Sequence, residues 1–191
     1  MKMKKLMFML GAIAVAVTLQ AAQLDWTMAK NSLTAPGDSS TYMSGQTSYL
    51  LVFTTSAAAD TLYNQLTSGE KTLDYATGLA VGSAVGSTNS KTKGFIDATA
   101  THASLTEGQT YYAAVLTVSG DQFIMSSTAT GQAYDPSGSI ETEGNKVQFS
   151  ASSFGASGRN GWSTAGAVPE PTSGLLMLFG LGALALRRRR I

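Results

Sequence analysis

A chain of 191 residues that is 43% hydrophobic, 13% charged, free of cysteine and furnished with one histidine excludes a disulfide framework, a thiol nucleophile and a zinc site built on cysteines or several histidines. Its formal net charge of +1 conceals three lysines within the first five residues and four arginines within the last five, so that residues 23–168 hold six basic and eleven acidic side chains, a net −5. Such an acidic body, with no basic patch, excludes nucleic acid as a partner, because that binding depends on neutralising phosphates with Lys and Arg.

Lys2, Lys4 and Lys5 precede an apolar run from Leu6 to Leu19, in which Thr18 is the only polar side chain, and the small residues Ala21 and Ala22 follow. A basic start, a short apolar run and a small-residue exit make residues 1–22 a secretory signal peptide, with Ala21 or Ala22 before the cleaved bond. An uncleaved N-terminal anchor is the alternative, and either reading exports the middle of the chain.

Residues 23–151 are expected to form one globular domain. Trp26 and Met28 alternate with Asp25 and Thr27, the period of a strand, and Ala35-Pro36-Gly37-Asp38 is a turn. Tyr49 to Thr55, YLLVFTT, is a dense aromatic and β-branched run that reads as a buried strand. Ser56 stands as an N-cap before a helix over 57–67, with Leu62 and Leu66 on one side and Gly69 as its stop. Gly78, Gly82 and Gly86 recur every four residues, but their polar neighbours argue against a membrane packing face and for a small-residue segment or loop against the sheet.

Phe95 to Ala103 reads as a strand and Glu107-Gly108 as a turn. The stretches QTYYAAVLTV and QFIMSSTATGQAY flank Ser119-Gly120-Asp121 and form a β-hairpin. In the first arm Tyr111, Ala113 and Val115 share one side, with Tyr112, Ala114, Leu116 and Val118 on the other. A strand apolar on both faces is central, covered by the helix or a second sheet. Lys146 to Ser150 is a last edge strand. The expected fold class is therefore mainly β (α+β), a small antiparallel sheet or sandwich with one short helix. Residues 152–167, rich in Gly and Ser, read as a flexible stalk.

Little in the body points to chemistry. His102 would have to serve any Ser-His-Asp triad, and no G-x-S-x-G elbow accompanies it, so it reads as an ordinary histidine. The stretch VGSTNSKTKG fails as a P-loop, because Ser90 and Val85 stand where glycines are needed, and Lys91 and Lys93 read as solvated. Glu141 and Glu143 resemble a carboxylate pair but lie in a turn-rich loop, and with Asp135 they lack the spacing of an EF-hand. The body is expected to be non-enzymatic, with no cofactor and no metal.

The chain closes on Val168-Pro169-Glu170-Pro171, a small polar spacer, an apolar run from Leu175 to Leu186, and Arg187, Arg188, Arg189 and Arg190. Twelve residues of helix span only about 18 Å, against a bilayer core of about 30 Å. An apolar run followed by positive charge stops a translocating chain, so this short helix, 174–186, is a transient stop rather than a permanent anchor, and extending it back to Thr172 gives only fifteen residues. Pro169 and Pro171 lack a backbone N–H and fix φ, which keeps the motif extended and out of the helix.

These parts, in this order over residues 168–191, resemble the PEP-CTERM sorting signal of exported bacterial proteins. The resemblance implies recognition of the Pro-Glu-Pro motif and removal of the tail by an exosortase, a membrane-embedded cysteine transpeptidase-like enzyme, in the manner of other discarded hydrophobic tails. It also implies a host that makes exopolysaccharide or biofilm. The protein is then expected to pass through the inner membrane, transiently anchored, to the cell surface or extracellular matrix, as a structural protein whose partners are the exosortase, the membrane and extracellular polysaccharide. The alternative is a carbohydrate-binding surface module in which Trp162 and Tyr134 stack on sugar rings.

Overall fold

The computed structural model describes residues 22–102, 105–135, 145–155 and 161–166. Residues 1–21 of the expected signal peptide, Glu141 and Glu143, and the whole sorting signal lie outside the described residues, while Ala22, the last residue of that expected segment, opens β1. The elements in chain order are β1 (Ala22–Met28), β2 (Thr34–Ala35), β3 (Asp38–Tyr42), β4 (Thr47–Phe53), α1 (Ser56–Thr67), α2 (Leu73–Gly78) and β5 (Gly82–Val85). They continue with β6 (Ile96–His102), β7 (Thr110–Ser119), β8 (Gln122–Met125), β9 (Ala129–Ala133), β10 (Lys146–Phe149), α3 (Ala151–Gly155) and β11 (Ser163–Thr164). The protein is mostly β, as its residue pattern implies.

Alternation dictates β1. Ala22, Leu24, Trp26 and Met28 point to one face and are at most 1% exposed, while Gln23 faces solvent. Burying side chains of the size of Leu24, Trp26 and Met28 contributes roughly 1.5–3 kcal/mol each. β1 is the middle strand of a three-stranded sheet, antiparallel to β6 and parallel to β10. On the far side of this sheet Asp25 lies opposite Lys146 in register, and their charged groups approach to 3.8 Å.

The second sheet runs β11-β8-β7-β4-β5, with β9 also paired to β7. The hairpin between β7 and β8 turns at Gly120, whose φ of +63° a side chain would disfavour. The expected second arm is two strands, not one. Ser126 divides them: its N–H donates to the Val115 carbonyl and its Oγ accepts from the Val115 N–H, both at 2.9 Å.

β7 is buried on both faces by different partners. Tyr111, Ala113 and Val115 join Leu24, Trp26, Met28 and Phe149 in the core between the sheets. Ala114 and Leu116 join Leu62, Leu66 and Phe123 in a second core beneath α1. The molecule is thus a small sheet, a large sheet and a helical layer. Ala59, Leu62 and Leu66 form the buried stripe of α1 at helical spacing. The helix cap differs from expectation: Ser56 is already helical, and Thr55, extended, is the cap without a side-chain hydrogen bond.

Two further helices, α2 and the single-turn α3, add to the one expected. Thr72 caps α2 by accepting from the Tyr75 N–H. The evenly spaced glycines belong to no single face, since Gly78 ends α2 and Gly82 opens β5. Gly82 answers to a close approach: a Cβ there would stand 2.6 Å from the Ala100 Cβ of β6, where the two sheets meet.

Candidate functional site

Among the described residues, those that the sequence offers for catalysis or ligation lie on separate elements or loops. His102 ends β6 opposite Ala22, half-buried, and desolvation pushes its imidazole below the usual 6.5. Among the described residues no three His, Cys, Asp or Glu side chains gather as a metal site. Asp135 is fixed through its backbone, with its N–H donating to Asn145 Oδ1 at 3.1 Å and its carbonyl accepting from Asn145 Nδ2 at 2.7 Å. Lys91 is exposed in a turn where its own N–H donates to Asn89 Oδ1 at 2.9 Å, an Asx arrangement rather than a phosphate cradle. Lys93 is partly buried in the same turn.

Tyr134 is not a stacking platform. It is 8% exposed, belongs to the core between the sheets, and its N–H donates to the Gln109 carbonyl. Burial, with the neighbouring Tyr134 phenol adding to it, pushes the Tyr111 hydroxyl up to about 12. Both tyrosines are parts of the core between the sheets.

Trp162 is different. It is half-buried, and its indole N–H donates to the Thr34 carbonyl at 2.8 Å, which fixes the ring against the β2–β3 hairpin. Beside it runs an open groove of about 440 Å³ lined by Thr34, Asp38, Ser39, Gln122, Gly161 and Trp162 among others. The Asp38 carboxylate accepts from the Ser40 hydroxyl at 2.6 Å and the Ser40 N–H at 2.8 Å. These bonds, with those from Thr41, hold its pKa at about 2, so it is ionised at any ordinary pH. One rigid aromatic ring, one carboxylate and one amide thus border a single groove.

Trp162 also begins the stretch that leads into the sorting signal. The described part of the segment expected to be a stalk is docked on the body. Ser163 and Thr164 pair with Phe123 and Gln122 as β11, extending the large sheet beyond β8. Ser163 Oγ lies 2.8 Å from the Tyr63 hydroxyl of α1. The Ala165 N–H donates to the Asp121 carbonyl and the Gly166 N–H to the Leu66 carbonyl, each at 2.9 Å. Gly166 lies so tightly on the end of α1 that a Cβ there would collide with the backbone of Thr67, Ser68 and Gly69. This docking carries almost no apolar side-chain signature, because an edge strand held by backbone groups can be written in Gly, Ser, Thr and Ala.

No described helix is long and apolar enough to cross a membrane. Comparison with known families matches residues 167–190 to the PEP-CTERM protein-sorting motif, which takes in Val168, Pro169, Glu170, Pro171 and Arg187 to Arg190. No curated protein and no solved structure matches the chain. Directly after Gly166 the chain thus carries a PEP-CTERM sorting motif, which supports an exported protein sorted by an exosortase.

Proposed function

We propose that the body is a non-enzymatic structural protein of the cell surface or extracellular matrix, working among exopolysaccharide in a biofilm-forming host. The sorting match at residues 167–190 is the observation that carries this reading, because it supports export and sorting through the membrane. The net charge of −5 over residues 23–168 adds to it, since an acidic body stays soluble and avoids adhesion to anionic membrane. The test is a deletion strain of the native host. Complementation with the wild-type gene and with His102→Gln should restore matrix cohesion equally, and the protein should be recovered from the matrix without its arginines. Failure of His102→Gln alone to complement would bring back a catalytic role, and recovery of the full-length chain from the cytosol would end the envelope reading.

A second reading, carbohydrate binding, is favoured by the groove beside Trp162. A tryptophan face stacks on the apolar face of a sugar, and a fixed carboxylate and amide accept and donate to its hydroxyls. Co-sedimentation of the purified body with host polysaccharide should be lost in Asp38→Asn and Trp162→Ala. Equal sedimentation of wild type and both variants would leave the structural reading alone.

A further inference from the structure

We propose that residues 162–166 are a latch, and that the exosortase removes the tail only from chains in which this latch has lifted. The proposal rests on exosortase sorting and adds a control point within the substrate itself.

The geometry begins with distance. Pro169 lies three residues beyond Gly166, so even a fully extended chain carries it no more than about 11 Å from the docked glycine. A protein cleft that takes in an extended peptide needs room around it. A neighbouring strand lies about 4.8 Å away and a packed layer about 10 Å away. Within that reach of Gly166 stand the end of α1 and the turn at Asp121, to which Gly166 and Ala165 are bonded. The body and the enzyme thus compete for the same stretch of chain. Lifting the five residues 162–166 adds about 17 Å of reach and takes the motif clear of both.

The latch is also built to open. Its ladder is two residue pairs long, at the edge of the sheet, and the strand buries no large aliphatic side chain. Segments of that kind, with few apolar contacts, open locally at far lower cost than the core. Its fastenings are individually weak and of different kinds: the indole of Trp162 on Thr34, the hydroxyl of Ser163 on Tyr63, and two backbone bonds. These hydrogen bonds go to no residue of β1, β4 or β7. The Trp162 ring also packs on the core between the sheets, so release gives up that contact while the backbone ladders of the central strands stay in place.

The absence of cysteine makes a clean test available. Gln122 and Thr164 are antiparallel partners, at a separation that a disulfide spans. The double variant Gln122→Cys with Thr164→Cys should close in the oxidising compartment outside the inner membrane and lock the latch. Pulse-chase of the full chain in the native host should show processing slowed by about tenfold or more, as expected when a required local opening is blocked, and restored by a membrane-permeant reductant. Reversal within one variant separates locking from misfolding. Gly166→Val, which cannot dock, should be processed at least as fast as wild type. A locked chain, shown to be oxidised, that is processed at the wild-type rate overturns the proposal. So does a Gly166→Val chain that is exported and protease-resistant yet kept as precursor. A strain lacking the exosortase supplies the separate control: tail removal there would count against exosortase sorting, not against the latch.

Discussion

At the scale of single residues, the positions that matter most are those where the fold leaves no freedom. Gly82 is set by the meeting of the two sheets, and Gly82→Val should destabilise the protein by about 1–3 kcal/mol, read as a lower denaturant midpoint at unchanged slope. The adjacent Ala100 Cβ sits on a strand and cannot swing aside. His102 gives a pH signature. Burial lowers its folded pKa below 6.5, so between the two values the unfolded chain binds more protons. Stability should therefore rise with pH through the window below 6.5 and level off above it, and His102→Gln should remove that part of the slope in urea melts taken across the window. A slope that persists in the variant would assign it to other groups. Among the described residues, Trp26 Nε1 and Gln46 Oε1 are buried without a hydrogen-bond partner.

At the scale of elements, α1 joins the two halves of the design. Its inner stripe seals the large sheet and its C-terminal end receives Gly166, so one helix serves both core and latch. Leu66→Ala should cost about 2–5 kcal/mol through the cavity it leaves, visible as a fall in Tm. The carbonyl of Leu66 that accepts from Gly166 is unchanged by that substitution, so tail removal should keep its wild-type rate as long as the chain folds. The elements legible in the residues were those whose side chains carry the signal: β1 by alternation, β4 and β7 by apolar density, α1 by the spacing of Leu62 and Leu66 with Gly69 as its stop. What stayed hidden rests on the backbone. The division of β8 from β9 depends on one serine replacing a ladder bond, and the docking of β11 depends on pairing that any small residue permits. The parallel placement of β10 beside β1 is a contact between distant parts of the chain, which no local pattern encodes. The groove is half legible in the sequence, where Trp162 stands out as an aromatic, but Asp38 and Gln122 reach it only through the hairpin and the sheet edge.

At the scale of the whole molecule, charge reports how far export has gone. The full chain has thirteen basic and twelve acidic side chains, a net +1, and a pI near 7.9. Loss of the signal peptide takes Lys2, Lys4 and Lys5 and leaves ten against twelve, a net −2. Loss of the tail as well takes the four arginines and leaves six against eleven, a net −5, or −6 if the cut falls after Glu170. Where the processed form ends in a free carboxylate the terminal charges cancel in the comparison, and joining that carboxyl to an acceptor would remove one negative charge. The three forms should separate on one isoelectric-focusing gel, the mature one well into the acidic range set by carboxylate pKa values of about 4. Its first residue is expected to be Ala22, since that side chain is 1% exposed in β1 and pairs with His102, and cleavage one residue later would remove it from the core. Terminal sequencing of the focused band checks both points together. A matrix-derived protein that focuses with the net −2 form would mean that the arginines stay on, that the exosortase has not acted, and that the short apolar helix is the final anchor rather than a stop in transit.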